Sequence, residues 1–141
     1  MEKLEINGTE FTFDVEKTRE YYKSNEVCDC AYCLQFRHTV RNLYPELAAY
    51  LARFGIDIAR PDETGPVDLE ESILYYFVGY TVCGSGSAPE GADEEISIAA
   101  DGKTLKLTLG TGFQFPNNQK EEYFSLTVYD LYLPRVNVAE E

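Results

Sequence analysis

The chain has little positive charge: 12 Lys and Arg stand against 25 Asp and Glu, a formal net charge of −13 over 141 residues. Such a surface repels a phosphate backbone and lacks the attraction that dominates nucleic-acid affinity, so neither nucleic acid nor an anionic membrane is expected as a partner. A basic protein fits better, because complementary fields speed encounter and penalise wrong pairings. Histidine is scarcer still: the single residue His38 leaves little for general acid–base or triad chemistry. No serine sits in a Gly-x-Ser-x-Gly setting, and Gly84-Ser85-Gly86 runs on into Ala88-Pro89 instead of a helix N-terminus that would hold phosphate. The expectation therefore leans away from an enzyme. No apolar run is long enough to span a bilayer, and Met1-Glu2-Lys3-Leu4-Glu5 has neither the basic nor the apolar part of a signal peptide. A cytoplasmic location follows as an expectation. There is no internal repeat or low-complexity tract, and a chain of this size with 44% hydrophobic residues suits one globular domain over 1–141.

What is present reads as hairpins and helices in turn. Residues 3–6 and 10–13 flank Asn7-Gly8, a pair that favours the positive φ angles of a type I′ turn, and so predict a hairpin. Asp14 is placed to cap a short helix running to about Lys23, before Ser24-Asn25 interrupts it. A second helix is predicted from Asp29 or Cys30 to Leu43. Pro45 opens a third, with Leu47, Leu51 and Phe54 at helical spacing and Gly55 as its stop. Residues 56–67 read as a loop broken by Pro61 and Gly65-Pro66.

The period then changes. Residues 72–83 are apolar without helical gaps and predict a long strand buried on both faces. A loop follows over 84–91. Residues 94–99 and 103–109 flank Asp101-Gly102 as a second hairpin, with Leu105, Leu107 and Leu109 on its buried face. Another loop contains Pro116-Asn117-Asn118, and a last strand over 123–133 ends at Pro134. The fold class is α+β: an N-terminal β-hairpin and two to three helices packed on a mostly antiparallel sheet.

Three of the four cysteines fall within six residues, Cys28-Asp29-Cys30-Ala31-Tyr32-Cys33. In a reducing compartment such thiols point to a metal, to redox chemistry or to packing, not to a disulfide framework. Helical phase places His38 about 140° around the axis from Cys33, which argues against it as a ligand and leaves Cys83 as the fourth candidate beside Cys28, Cys30 and Cys33 for zinc. The same phase separates the three clustered thiols into different directions. The redox alternative makes Cys30 a thiolate favoured by the helix dipole, with Cys33 as its resolving partner and Arg37 adding positive charge. In the packing alternative, Cys33 and Cys83 are small buried hydrophobes.

Arg37 and Arg41, one helical turn apart, suit a carboxylate or phosphate, or the chain's own surplus acids. Tyr75, Tyr80 and Tyr129, with neighbouring tyrosines, occupy both parities of two strands, so some are expected at a surface, where tyrosine suits protein binding. Asp62-Glu63 with Asp68 is a conceivable calcium set without EF-hand spacing.

The cysteine segment, with Tyr44-Pro45-Glu46-Leu47 and Gly55-Ile56-Asp57-Ile58, resembles small bacterial proteins of an uncharacterised family over the first half of the chain. That resemblance implies a bacterial origin and carries no activity. In size and charge the chain is also similar in type to bacterial immunity proteins, small acidic cytoplasmic α+β domains that neutralise basic toxins. Together these readings predict a non-enzymatic acidic protein that binds another protein through an acidic, tyrosine-rich sheet face, with Arg37, Arg41, Tyr75, Tyr80 and Tyr129 as candidate contacts. The alternatives are a zinc-binding domain and a thiol redox protein.

Overall fold

The computed structural model describes residues 1–25, 27–86, 92–112 and 122–135. The expected loop residues 87–91 and Pro116-Asn117-Asn118 lie outside them. Strands β1 (Glu2–Ile6) and β2 (Thr9–Phe13) precede helices α1 (Val15–Ser24), α2 (Ala31–Leu43) and α3 (Pro45–Ala52). Strands β3 (Glu63–Leu69), β4 (Ser72–Gly86), β5 (Asp93–Ala100), β6 (Lys103–Gly110) and β7 (Tyr123–Pro134) follow. The architecture is the α+β arrangement expected, with every described strand pair antiparallel.

Local chemistry sets most of these elements. Asn7 and Gly8 take φ of 51° and 84°, so the turn joining β1 to β2 uses the left-handed conformations that this pair tolerates. The Asp14 carboxylate accepts the Lys17 backbone N–H at 3.0 Å and caps α1. Pro45 opens α3, whose cap comes from far along the chain. The carboxylate oxygens of Asp101, in the β5–β6 turn, accept the backbone N–H groups of Glu46 and Leu47, each at 3.0 Å, while the Glu46 carboxylate accepts the Asp101 N–H at 2.7 Å.

The sheet runs β1-β2-β4-β7-β6-β5, with β3 added beside β4. Strand β4 is the spine. One of its edges pairs with β7 from Ser72 to Cys83, and the other pairs with β3 up to Gly79 and with β2 from Gly84. Between those two partners α1 and the residues around it close the edge. The Tyr22 hydroxyl both accepts the Thr81 N–H and donates to the Thr81 carbonyl, each at 2.8 Å. The Thr18 hydroxyl accepts the Cys83 N–H at 3.0 Å, and the Asp14 and Asp62 N–H groups donate to the Cys83 and Gly79 carbonyls. Buried backbone groups left unpaired are costly, so side chains here complete a ladder that has no described strand beside it.

The expected loop over 56–67 is corrected in part, because β3 begins at Glu63. Gly65-Pro66 reads as a breaker yet lies in a bulge on a strand with one described neighbour, where a residue lacking N–H is tolerated. There Tyr76 and Phe77 together oppose Gly65. Opposite Tyr76 on β7, Asp130 takes φ of 60°. At this point the buried parity shifts in both strands: Ile73, Tyr75, Leu131 and Leu133 are buried on one side of it, and Val78, Tyr80, Val82, Phe124, Leu126 and Val128 on the other. The helices cover this face. Phe36 meets Tyr75 and Phe13 meets Phe54 at ring separations of 5.0 and 4.8 Å, and the Tyr80 hydroxyl donates to the Ile58 carbonyl.

Candidate metal centre

The connection between α1 and α2 is fixed at both ends before its thiols come into play. Asn25 is buried and exchanges hydrogen bonds with Arg60: the Asn25 side chain donates to the Arg60 carbonyl, and the Arg60 guanidinium donates to the Asn25 side-chain oxygen and the Asn25 backbone carbonyl. At the other end the Tyr75 hydroxyl donates to the Tyr32 carbonyl at 2.5 Å, holding the first turn of α2 against the sheet. Arg37, one turn further on, reaches back to donate to the Cys28 carbonyl at 2.7 Å and to the Asp29 carboxylate at 3.0 Å. Its guanidinium clamps the segment that carries the first two cysteines.

The sulfurs of Cys28, Cys30 and Cys33 all lie within 4.8 Å of one another. This corrects the expectation that the three thiols diverge. Helical phase applies from Ala31 onward; Cys30 is the N-cap, with φ of −66° and ψ of 164°, and Cys28 precedes it, so neither obeys the 100° step. The extended backbone folds Cys28 back until its sulfur accepts the Cys30 N–H at 3.4 Å. Sulfurs sharing one tetrahedral zinc with bonds of about 2.3 Å stand about 3.8 Å apart, so small rotamer changes bring this set into coordination distance.

The thiols open on a cavity of about 150 Å³ whose other walls include Arg37, Asp62, Glu63 and Thr64. Burial pushes the Cys33 thiol up to about 12, with the Cys30 and Cys28 thiols adding to the rise; the Thr64 hydroxyl, 3.9 Å away, opposes it. Cys30 moves the other way. Burial acts to raise it, but the Cys33 backbone amide and the Cys28 and Cys33 thiols outweigh that and lower it. Three thiols this close cannot all ionise at neutral pH without a cation to take up the charge.

No protein-family model, no curated protein and no solved structure matches the chain. The site is therefore read from its own chemistry.

The remaining candidates fall elsewhere. Cys83 is buried in β4 beside Thr18 and lines a different depression with Asp14, Lys17 and Glu122, so it is not a fourth ligand to this cluster. His38 is exposed on α2 and is not among the clustered groups. Arg41 pairs with Asp57 at 2.5 Å. Tyr75 and Tyr80 are corrected as surface contacts: both are fully buried, because the bulge at Tyr76–Phe77 returns opposite parities to one helix-covered face. Tyr129 is half-buried beneath the Lys106 ammonium, 4.5 Å from its ring centre. The calcium set also separates. Asp62 accepts hydrogen bonds from Tyr21 and Thr81, whereas Asp68 pairs with Arg135 at the far end of β3. Sequence reasoning missed the cavity's far wall, since Glu63 and Thr64 belong to a strand it read as loop and Asp62 directly precedes that strand.

Proposed function

We propose that the protein binds a thiophilic metal ion, zinc, through Cys28, Cys30 and Cys33. The observation that carries this reading is the convergence of the three sulfurs within 4.8 Å at the rim of a cavity. Soft thiolates select zinc or copper(I) over hard cations, and borderline-soft zinc also accepts an oxygen ligand in a fourth position. Asp62 and Glu63 on the facing wall favour a cation there, and the Arg37 guanidinium offsets the negative charge of a three-thiolate zinc centre. A reducing, cytoplasmic setting keeps the ligands as thiols.

Native mass spectrometry of the full chain is expected to show one zinc per protein, lost in each of Cys28→Ser, Cys30→Ser and Cys33→Ser and kept in Cys83→Ser. Failure to take up zinc, or loss of zinc in Cys83→Ser, refutes the reading.

One observation favours a second reading. Cys30 sits at the N-cap of α2 with its thiol lowered, and Cys33, one turn on, has its thiol raised. That asymmetry suits thiol–disulfide exchange: the Cys30 thiolate attacks a substrate disulfide and expels one thiolate, and Cys33 then displaces the second, leaving a Cys30–Cys33 disulfide. A stable mixed disulfide on Cys30 in Cys33→Ser, with no zinc bound to the parent protein, would favour exchange over metal binding.

A further inference from the structure

The outer face of the β3–β4–β7 ladder carries an apolar patch. Register aligns Val67, Leu74 and Tyr132 in one cross-strand row and Leu69, Ser72 and Pro134 in the next. Tyr76 follows Leu74 by two residues. Residues directly opposite, or two apart along a strand, share a face. Val67, Leu69, Tyr76 and Tyr132 are 40%, 41%, 49% and 48% exposed, and they account for four of the six exposed large hydrophobics among the described residues. On the opposite face of the same ladder, Ile73, Tyr75, Leu131 and Leu133 are buried. Single exposed apolar side chains are ordinary; here they form a contiguous set across three strands, about 10 Å by about 13 Å from strand spacing and rise.

The charges around it define what fits. Glu70 and Glu71 border the patch in the turn after β3, and Asp130 borders it on β7; all three are exposed. Described cations nearby include Arg135, which donates to the Glu70 carbonyl and pairs with Asp68, Lys103, whose ammonium lies 5.6 Å from the Tyr132 ring centre, and Lys106, 4.5 Å from the Tyr129 ring centre. A second copy of the chain would bring like rims together across a two-fold axis, with a net charge of −13 on each side.

We propose that this face docks a basic protein whose apolar side chains cover Val67, Leu74, Tyr76 and Tyr132 while its Lys and Arg meet the carboxylate rim. The proposal is independent of the thiol site.

The test is an NMR titration of the ¹⁵N-labelled full chain with a synthetic strand-forming peptide alternating Lys and Val. Its control is the same peptide with Glu in place of Lys. Saturable shifts confined to 66–76 and 130–135 are expected from the Lys peptide and none from the Glu peptide. Affinity should fall at least about tenfold in Val67→Lys/Tyr132→Lys, and again when salt rises from about 50 to about 300 mM. Both substitutions are at exposed positions, and a second variant, Glu70→Lys/Glu71→Lys, changes only the rim and should weaken binding while leaving the far-UV spectrum intact. Four results would overturn the proposal: no binding; shifts spread over acidic residues throughout the chain; dimerisation of the chain through this face; or occupation of the face by residues 136–141, revealed when their deletion creates binding.

Discussion

Replacing Tyr22 by Phe removes the hydroxyl that accepts the Thr81 N–H and donates to the Thr81 carbonyl. The Tyr22 hydroxyl is the described group that serves both the N–H and the carbonyl of Thr81, and the side chain is buried, so water has poor access to either. A buried donor or acceptor stranded this way costs about 1–3 kcal/mol, so the variant should lose about 2–5 kcal/mol. Tyr80→Phe is the matched control. It is equally apolar and buried, but its hydroxyl donates only to the Ile58 carbonyl at 2.7 Å, and its loss should be about 1–3 kcal/mol. Urea unfolding followed by far-UV circular dichroism gives both values, with an unchanged m value showing that the unfolded surface is comparable. Hydrogen exchange adds a local readout, since the Thr81 amide should exchange faster in Tyr22→Phe than in Tyr80→Phe. If Tyr22→Phe costs no more than Tyr80→Phe, α1 does not complete the β4 edge and the argument fails.

Three other outcomes follow from the same structure. Asp101→Asn tolerates the positive φ of that position but leaves one oxygen for the two N–H groups of α3, so thermal unfolding should report a loss of about 0.5–1.5 kcal/mol. Gly65→Ala would drive a methyl group into the Tyr76 and Phe77 rings and should cost about 1–3 kcal/mol; full stability in the same assay would show that the bulge has room to spare. Burial raises the Asp62 carboxyl, although hydrogen bonds from Thr81 and Tyr21 oppose the shift. The folded protein therefore holds this proton more tightly than the unfolded chain. Its contribution to stability is complete below the ordinary carboxylate range, near about 4, and is lost as pH rises through the raised value. Asp62→Asn, compared with the parent in chelator across that window, should remove this slope, and an unchanged slope would refute the assignment.

Particular residues show how far the sequence could be read. Asn7-Gly8, Asp14, Pro45 and Asp101-Gly102 declare their turns and caps because the preference resides in one or two residues, and all four sit where those preferences place them. Strand β3 was hidden. Its Gly65-Pro66 looks like a breaker, and the Glu70-Glu71 turn that joins it to β4 carries no turn signature although Glu70 takes φ of 54°. The thiols were misdirected by carrying helical phase upstream of Ala31 to Cys30 and Cys28. Tyr75 and Tyr80 were assigned to a surface because a strict two-residue alternation was carried across a bulge that only the register with Gly65 reveals.

The sequence by itself determined the charge balance, the hairpin turns, the helix starts and the crowding of three cysteines, because each depends on composition or on neighbours along the chain. Tertiary structure decided which thiols meet, which tyrosines are buried and which sheet face stays exposed. Those outcomes depend on contacts between distant residues. Arg37 holds the segment before α2, Tyr22 bonds a stretch of the β4 edge that no described strand covers, and the bulge opposite Gly65 shifts the alternation at Tyr76 and Phe77.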